Sequence, residues 1–394
     1  MHGFTQYTPT RIIFGKETQK QAGELAKSLK ASKVFVVYGG GSVVRSGLLD
    51  EVTASLEEAG LEYMTVGGVK PNPRLSFARE AVKKSIEFGT DFVLAVGGGS
   101  VIDTSKAVAH GTANPDTDIW EFWSKKQTVK KSLPVGVVLT LAAAGSETSD
   151  SAVLTNEETK IKRGLSTDFN RPAFAIMNPE LTYTLPKYQV GCGIVDIMMH
   201  TLERYITHAK NVELSNRIAE GLLVTVKEAT KKALKNPCDY EARANLMWAG
   251  SLSHNGLTGT GRINDFPVHK LGHELSAMFD ATHGASLTCT WGAWARYVYK
   301  SNPAIFARFA VKVFGVEENF DDVEATALAG IDAWDDWCRS IGMPVTLTEL
   351  LGFTPTEEQL EEMAEKAAAV GGGKIGLFQS LDKNNILEIY KNAL

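Results

Sequence analysis

Two short stretches with nearly the same grammar constrain this chain more than any other feature. Val34-Phe-Val-Val-Tyr38 runs into Gly39-Gly40-Gly41-Ser42, and Asp91-Phe-Val-Leu-Ala-Val96 runs into Gly97-Gly98-Gly99-Ser100. Each reads as an apolar strand, a glycine turn and then a helix, which the first unit continues over 43–59. Three residues without Cβ atoms let backbone amides approach a diphosphate, and the start of the following helix adds its positive dipole end. Neither turn completes the G-x-G-x-x-G fingerprint, because Val44 and Ile102 stand at its last position. One such turn alone is also what a tight strand-to-helix connection looks like. Two of them, at the carboxyl ends of strands expected to be parallel, favour a nucleotide cleft.

The surrounding pattern fits that frame up to about residue 184. Val/Ile-rich runs at 63–66, 92–96 and 135–139 alternate with helical patterns such as 74–88, the signature of a parallel sheet flanked by helices. The most apolar stretch, 133–144, is too short to span a bilayer and reads as a buried strand. Asn178-Pro-Glu-Leu-Thr-Tyr-Thr-Leu-Pro186 then supplies turn residues and two prolines, a natural boundary. Beyond it the chain is helical almost throughout, around 187–208, 213–235, 239–254, 265–279, 303–313, 322–341 and 356–369. Ile218, Leu222, Val226 and Ala229 give the second of these a packed face. Gly371-Gly372-Gly373 reads as a helix-ending loop. Two domains follow, an α/β nucleotide-binding one at 1–184 and an all-helical one at 185–394.

Composition narrows the function classes. At 394 residues, with 22% charged and 44% apolar residues, the chain can build substantial globular cores. A net charge of −5 gives no reason to expect nucleic acid or a membrane surface as partner. Lys125-Lys126 and Lys130-Lys131 read as a solvated loop. The four cysteines (Cys192, Cys238, Cys289, Cys338) form no C-x-x-C pair and are taken as reduced thiols, and the N-terminus lacks a signal-peptide pattern. A cytoplasmic enzyme is the expectation.

The helical half carries the chemistry. Asp196 and His200 stand four residues apart, as do His269 and His273, so each pair shares a helical face, and His283 follows shortly after. One carboxylate with several imidazoles suits zinc or ferrous iron. Ordinary polar positions in a helical domain would also produce single histidines; the crowding of three of the eight into 269–283 argues for a set.

Together these motifs are similar to the iron-containing (group III) alcohol dehydrogenases, nearest their butanol dehydrogenase and NADPH-dependent aldehyde reductase branch. The resemblance runs nearly end to end. It includes Thr8-Pro-Thr-Arg-Ile-Ile-Phe-Gly15, Tyr38-Gly-Gly-Gly-Ser42, Lys70-Pro-Asn-Pro73, Ala95-Val-Gly-Gly-Gly-Ser-Val-Ile-Asp103, Leu139-Thr140 and Gly145-Ser-Glu147. It continues through 178–186, the Asp196/His200 segment, His269-Lys-Leu-Gly-His-Glu-Leu-Ser-Ala-Met278 and His283-Gly.

The resemblance implies a Rossmann-like parallel sheet joined to an all-α domain, with one divalent metal, Fe2+ or Zn2+, on Asp196, His200, His269 and His283. His273 would sit beside the metal near the nicotinamide and relay the final proton. Gly97, Gly98, Gly99 and Ser100 would form the diphosphate loop, with Asp103 toward the nicotinamide end, orienting it or a water. Asn72, Thr140, Leu141, Ser146, Ser149, Lys162, Tyr183 and Thr184 would complete the cofactor groove. NAD-preferring relatives carry an acid where this chain has Gly39; here Gly40, Gly41 and Ser42 offer only amides and a hydroxyl, which favours NADPH, with NADH as the alternative carrier. The implied reaction is hydride exchange with short-to-medium aliphatic aldehydes and alcohols, in a homodimer. Trp291 and Trp294 are candidates for a substrate wall. A lyase of the dehydroquinate-synthase type shares the architecture and would need a cationic cluster, for which Arg204 and Arg262 are the main candidates. A non-catalytic nucleotide-binding protein is the third reading.

Overall fold

The structure, a computed structural model, describes residues 1–394 as two compact units, Tyr7–Leu185 and Met1–Gln6 together with Pro186–Leu394. The first is built on β1 (Arg11–Phe14), β2 (Lys33–Tyr38), β3 (Glu62–Val66), β4 (Phe92–Gly97), β5 (Val135–Leu139), β6 (Ser151–Asn156), β7 (Ile161–Ser166) and β8 (Phe174–Met177). Six of these form one all-parallel sheet in the order β1-β8-β5-β4-β2-β3, and β6 with β7 makes a separate antiparallel hairpin. Its helices are α1 (Ala22–Ser28), α2 (Ser42–Arg45), α3 (Leu48–Glu58), α4 (Leu75–Phe88), α5 (Gly99–Ala113) and α6 (Trp120–Trp123).

The strands are apolar on both sides because both faces are covered. Val34, Val36, Phe92, Leu94 and Val96 pack with α1 and α3 in one core cluster. Their neighbours Phe35, Val37, Val93 and Ala95 are fully buried on the opposite face, where α5 lies over β4. The strand order reverses between β2 and β4: β3 lies on one side of β2, while β4, β5 and β8 extend on the other. That is the topological switch point, where open α/β sheets leave a crevice at the carboxyl ends of their strands.

Several expectations need correcting here. The helix read over 43–59 is two helices, parted at Ser46-Gly47, where Gly47 takes φ 78°. The apolar run 133–144 holds a strand only over Val135–Leu139; from Thr140 the chain turns into a loop. The β6–β7 hairpin and the strands β1 and β8 escaped the sequence reading.

The second unit contains α7 (Lys187–Tyr205), α8 (Glu213–Lys235), α9 (Tyr240–His254), α10 (Pro267–Phe279), α11 (His283–Val298), α12 (Pro303–Phe309), α13 (Val323–Ser340), α14 (Leu347–Leu351) and α15 (Glu357–Val370). A two-stranded ribbon, β9 (Lys374–Ile375) with β10 (Leu381–Asp382), and α16 (Lys383–Asn392) close it. No helix is long and apolar enough to cross a membrane. The helix expected over 303–313 stops at Phe309 and widens into a π-type turn over Ala310–Phe314. Helix α11 was missed for a physical reason. Every residue from 284 to 295 is buried, so it has no polar face from which a period can be read.

Helix α11 also touches α7 more closely than side chains allow. A Cβ at Gly284 would lie 2.1 Å from the Cys192 carbonyl oxygen. Gly284→Ala should therefore push α11 off α7 and cost about 1–3 kcal/mol of stability, the usual penalty of overpacking. Chemical denaturation of the chelator-treated protein checks this; an unchanged midpoint would mean that the contact yields freely.

Candidate metal centre and nucleotide cleft

Both glycine turns fall at the switch point. Tyr38, the last residue of β2, pairs with Val96 of β4, and Gly97 pairs with Leu139 of β5, so 39–42, 97–100 and 140–141 leave the sheet side by side. Gly97 is required by packing, since a Cβ there would meet Val101 at 2.5 Å; at Gly98 it would meet Leu141 at 3.1 Å. Gly98 precedes α5 without a capping side chain, which leaves the first turn of a 15-residue helix open to an anion. Gly41 takes φ 101°, whereas Gly39 does not have positive φ and a Cβ on it would meet nothing closer than 3.6 Å. Gly39 thus has room for a side chain and lacks one. Within the same turn, Arg45 folds back so that its Nη1 lies 3.3 Å from where a Gly41 Cβ would be.

Asp103, Ser146 and Ser149 are braced from behind. Asp103 Oδ1 accepts from Ser146 Oγ (2.5 Å) and Oδ2 from the Val153 amide (2.8 Å). The fully buried Lys106 donates to the Ser146 carbonyl (2.8 Å), Ser146 Oγ (2.9 Å) and the Ser151 carbonyl (2.7 Å). Burial raises the Asp103 carboxyl above its ordinary value against the pull of Lys106, and burial lowers the Lys106 ammonium to about 8. Ser149 Oγ accepts from the Ser151 amide at 2.8 Å. Lys162 on β7 donates to Asn72 Oδ1 at 3.0 Å, with both residues buried. Thr140 donates its amide to the Gly97 carbonyl (3.1 Å), and Tyr183 and Thr184 lie just beyond the end of β8.

In the second unit the two helical pairs converge. Asp196 and His200 come from α7, His269 from α10, and His283 opens α11. Asp196 Oδ1 faces three imidazole nitrogens: His200 Nε2 at 3.3 Å, His269 Nε2 at 3.5 Å and His283 Nε2 at 3.8 Å. Asp196, His200 and His269 are buried and present ligand atoms all within 4.8 Å of one another. Asp196 Oδ1 and His269 Nε2 are buried without a hydrogen-bond partner. Two ligand atoms each ~2.1 Å from an ion at a tetrahedral angle stand ~3.4 Å apart, so the donor set and spacing fit a divalent cation. His283 stands slightly outside this core. His273 is partly exposed, its ring 5.3 Å from His283 and 6.5 Å from His269, beside the set.

The protonation pattern follows from the surroundings. Burial pushes the His200 imidazolium well below its ordinary value, reinforced by His254 and His269. Burial would lower His269 too, but Glu203 and Asp196 override it and lift it to about 9.

Four further residues complete the surroundings; of these the sequence reading singled out only Arg204, and for the lyase alternative. Glu203, Arg204, His254 and Phe266 pack around the ligand rings. His254 lies 3.8 Å from His200 between ring centroids, and its Nδ1 is 3.0 Å from Arg204 Nη2. Phe266 sits at φ 54°, a conformation that costs a non-glycine residue on the order of 1–3 kcal/mol, with its ring 5.4 Å from His269. Of the other three, only Glu203 left a trace: positions 196, 200 and 203 share one helical face.

A sequence profile described as iron-containing alcohol dehydrogenase matches residues 9–179, and one described as the C-terminal part of that family matches 192–394. The chain belongs to the iron-containing alcohol dehydrogenase family. It is 40% identical to a probable NADH-dependent butanol dehydrogenase of Bacillus subtilis over the whole of both chains. It is 37% identical to the NADPH-dependent aldehyde reductase YqhD of Escherichia coli over 89% of each. A crystal structure of an NADH-dependent butanol dehydrogenase A from Thermotoga maritima superposes with a TM-score of 0.95 at 40% identity, covering 100% of this chain and 99% of that one.

The enzyme is thus an NAD(P)H-dependent oxidoreductase of the alcohol dehydrogenase/aldehyde reductase type, and the side chains count against the lyase reading as well. Arg204 donates to the His200 (2.7 Å) and Ser253 (3.0 Å) carbonyls. Arg262 donates to the Arg204 (3.0 Å) and Tyr205 (2.7 Å) carbonyls and to Asn216. Both arginines are buried braces and cannot form the anion site that a phosphorylated acid needs. Nor do the tryptophans make a free substrate wall: Trp291 packs on Trp334 and Phe309, and Trp294 on Phe306 and Phe378.

Replacing Lys106 with Met in this dehydrogenase should cost about 3–5 kcal/mol, because Asp103 and the carbonyls of 146–151 lose their buried cation. It should also weaken nucleotide binding, which isothermal titration would register. Wild-type denaturation and affinity would show that loop 145–151 holds its shape without the lysine.

Proposed function

We propose that the enzyme reduces short- to medium-chain aliphatic aldehydes of the butanal kind, using NADPH in preference to NADH and one divalent ion, Fe2+ or Zn2+, on Asp196, His200, His269 and His283. One observation carries the reading: a buried carboxylate oxygen without a hydrogen-bond donor faces three imidazole nitrogens at 3.3, 3.5 and 3.8 Å. Buried polar atoms are normally paired, and a shared cation resolves this set. The substrate class is supported by the butanol and aldehyde in the names of the relatives.

When bound, the metal supplies Lewis acidity toward a carbonyl oxygen and the reduced nicotinamide supplies the hydride that the carbonyl carbon takes up. The protein's own side chains do the rest. Asp196 reduces the ion's charge while three neutral imidazoles leave it net positive. The amides of 97–100 hold the diphosphate at the start of α5. His273, beside the ligand set and partly open to solvent, holds the proton that the alkoxide oxygen needs, since imidazole titrates near neutrality.

Protein purified without chelator should carry a divalent ion and oxidise NADPH in the presence of butanal. His269→Ala and His283→Ala should lose both ion and activity while the first unit stays folded; full metal occupancy in both variants would remove the site. His273→Ala should keep the ion and lower kcat by roughly 10²–10⁴-fold. A kcat unchanged from pH 6 to 9 would deny it a proton-transfer role.

Cofactor preference rests on Gly39 and its turn. No carboxylate stands there to repel a 2′-phosphate, and Arg45 brings a cation to the turn. NADH is the second reading, favoured by the name of the Bacillus relative. Gly39→Asp would place a charge some ~3–5 Å from a 2′-phosphate, a repulsion on the order of a few kcal/mol in partly solvated surroundings. NADPH should weaken by about one to three orders of magnitude, while NADH holds or improves. A parallel loss of both cofactors would instead mark Gly39 as a turn-shaping residue.

A further inference from the structure

We infer that Glu203, which is not in the ligand set, is the positioning residue that presents His269 to the metal. The inference rests on the metal reading above. Glu203 lies on α7, one helical turn beyond His200, and its side chain is almost wholly buried. Its Oε1 accepts the Val268 amide at 2.6 Å and its Oε2 accepts the His269 amide at 3.3 Å and the His269 Nδ1 hydrogen. The two amides belong to the first turn of α10, where backbone donors have no partner inside the helix and a negative charge is favoured. One carboxylate therefore fixes both the helix end and the ring that the helix carries.

The consequence for the metal lies in the tautomer. A carboxylate that already accepts two amide hydrogens acts as an acceptor, so its third partner, Nδ1, must be the protonated ring nitrogen. That leaves Nε2 with its lone pair directed toward Asp196 Oδ1, 3.5 Å away, where an ion would sit. Ligating histidines commonly donate their other ring hydrogen to a carboxylate, which fixes the ring and strengthens the ligand. The backbone gives a second sign that this position is enforced. Phe266, just before α10, holds φ 54° ahead of Pro267, although a residue before proline normally stays extended.

Glu203→Gln separates the two tasks. Its amide oxygen can still accept the Val268 hydrogen, but the NH2 group then faces Nδ1 and can only donate. His269 would have to move its proton to Nε2, or the amide would flip and leave the helix end unpaired. Zinc affinity, read by competition with a chromogenic chelator, should fall about 10–100-fold. The metal-stripped variant should melt below the metal-stripped wild type, because the α10 end loses a charged acceptor, so the inference is read in the extra stability that zinc confers, which should shrink as well. Wild-type zinc affinity in Glu203→Gln would overturn the inference while leaving the metal site in place. A wild type that binds no zinc would overturn both. Should the variant fail to fold, nitrogen NMR of the zinc-loaded wild type decides: a slowly exchanging hydrogen on His269 Nδ1, with Nε2 as ligand, supports the inference. Coordination through Nδ1 refutes it.

Discussion

A carboxylate and three imidazoles gathered inside a helical bundle are an unstable arrangement on their own. Each polar atom removed from water costs free energy unless something replaces its hydrogen bonds. At Asp196 Oδ1 and His269 Nε2 nothing in the protein does so. The helices around them bear marks of that demand. Helix α7 is buried from Val190 to Tyr205, α11 approaches it on a glycine, and α10 begins after a residue in a costly conformation. An ion bound at this cluster would join metal affinity and helix packing in one free-energy balance, since binding to the folded state alone also stabilises it.

The nucleotide half solves a different problem by different means. Its sheet is apolar on both faces, and its strand order reverses between β2 and β4. That reversal opens a crevice lined by backbone, which suits a diphosphate. The loops that close it would be mobile if left to themselves. Here 145–151 is pinned from below by a buried lysine with an aspartate beside it. A buried cation of this kind contributes little net stability but makes one loop geometry far better satisfied than any other.

How much of this was legible depended on whether a feature is local. The glycine turns announced themselves because strand, turn and helix are contiguous in sequence. The Asp196/His200 and His269/His273 pairs did so because a spacing of four maps onto one helical face. Helix α11, buried without a break from 284 to 295, could not be read, for that stretch has no polar side to set a period. The hairpin 151–166 was obscured because β7 alternates around polar residues such as Lys162 and Arg163. The commitments of Arg204, Arg262 and Lys106 were beyond reach. Each binds carbonyls brought close by tertiary packing, and a sequence shows the cation without showing what it touches.

The contrast between the halves bears on how such enzymes diverge. Relatives of similar identity, 40% and 37%, are named for NADH and for NADPH. The elements that would choose between them here are an open position at Gly39 and an exposed Arg45. Interactions at such a surface are screened over a Debye length of about 8 Å in physiological salt, and each is worth a kcal/mol or so. A single substitution can therefore shift the preference tenfold without disturbing the fold. The cluster around Asp196 has no such freedom. Asp196 meets three rings, one of those rings is held by Glu203, and Glu203 also holds the end of α10. Changing any member leaves several buried groups unsatisfied together. Cofactor choice can drift one residue at a time, while the buried cluster around Asp196 must persist as a set.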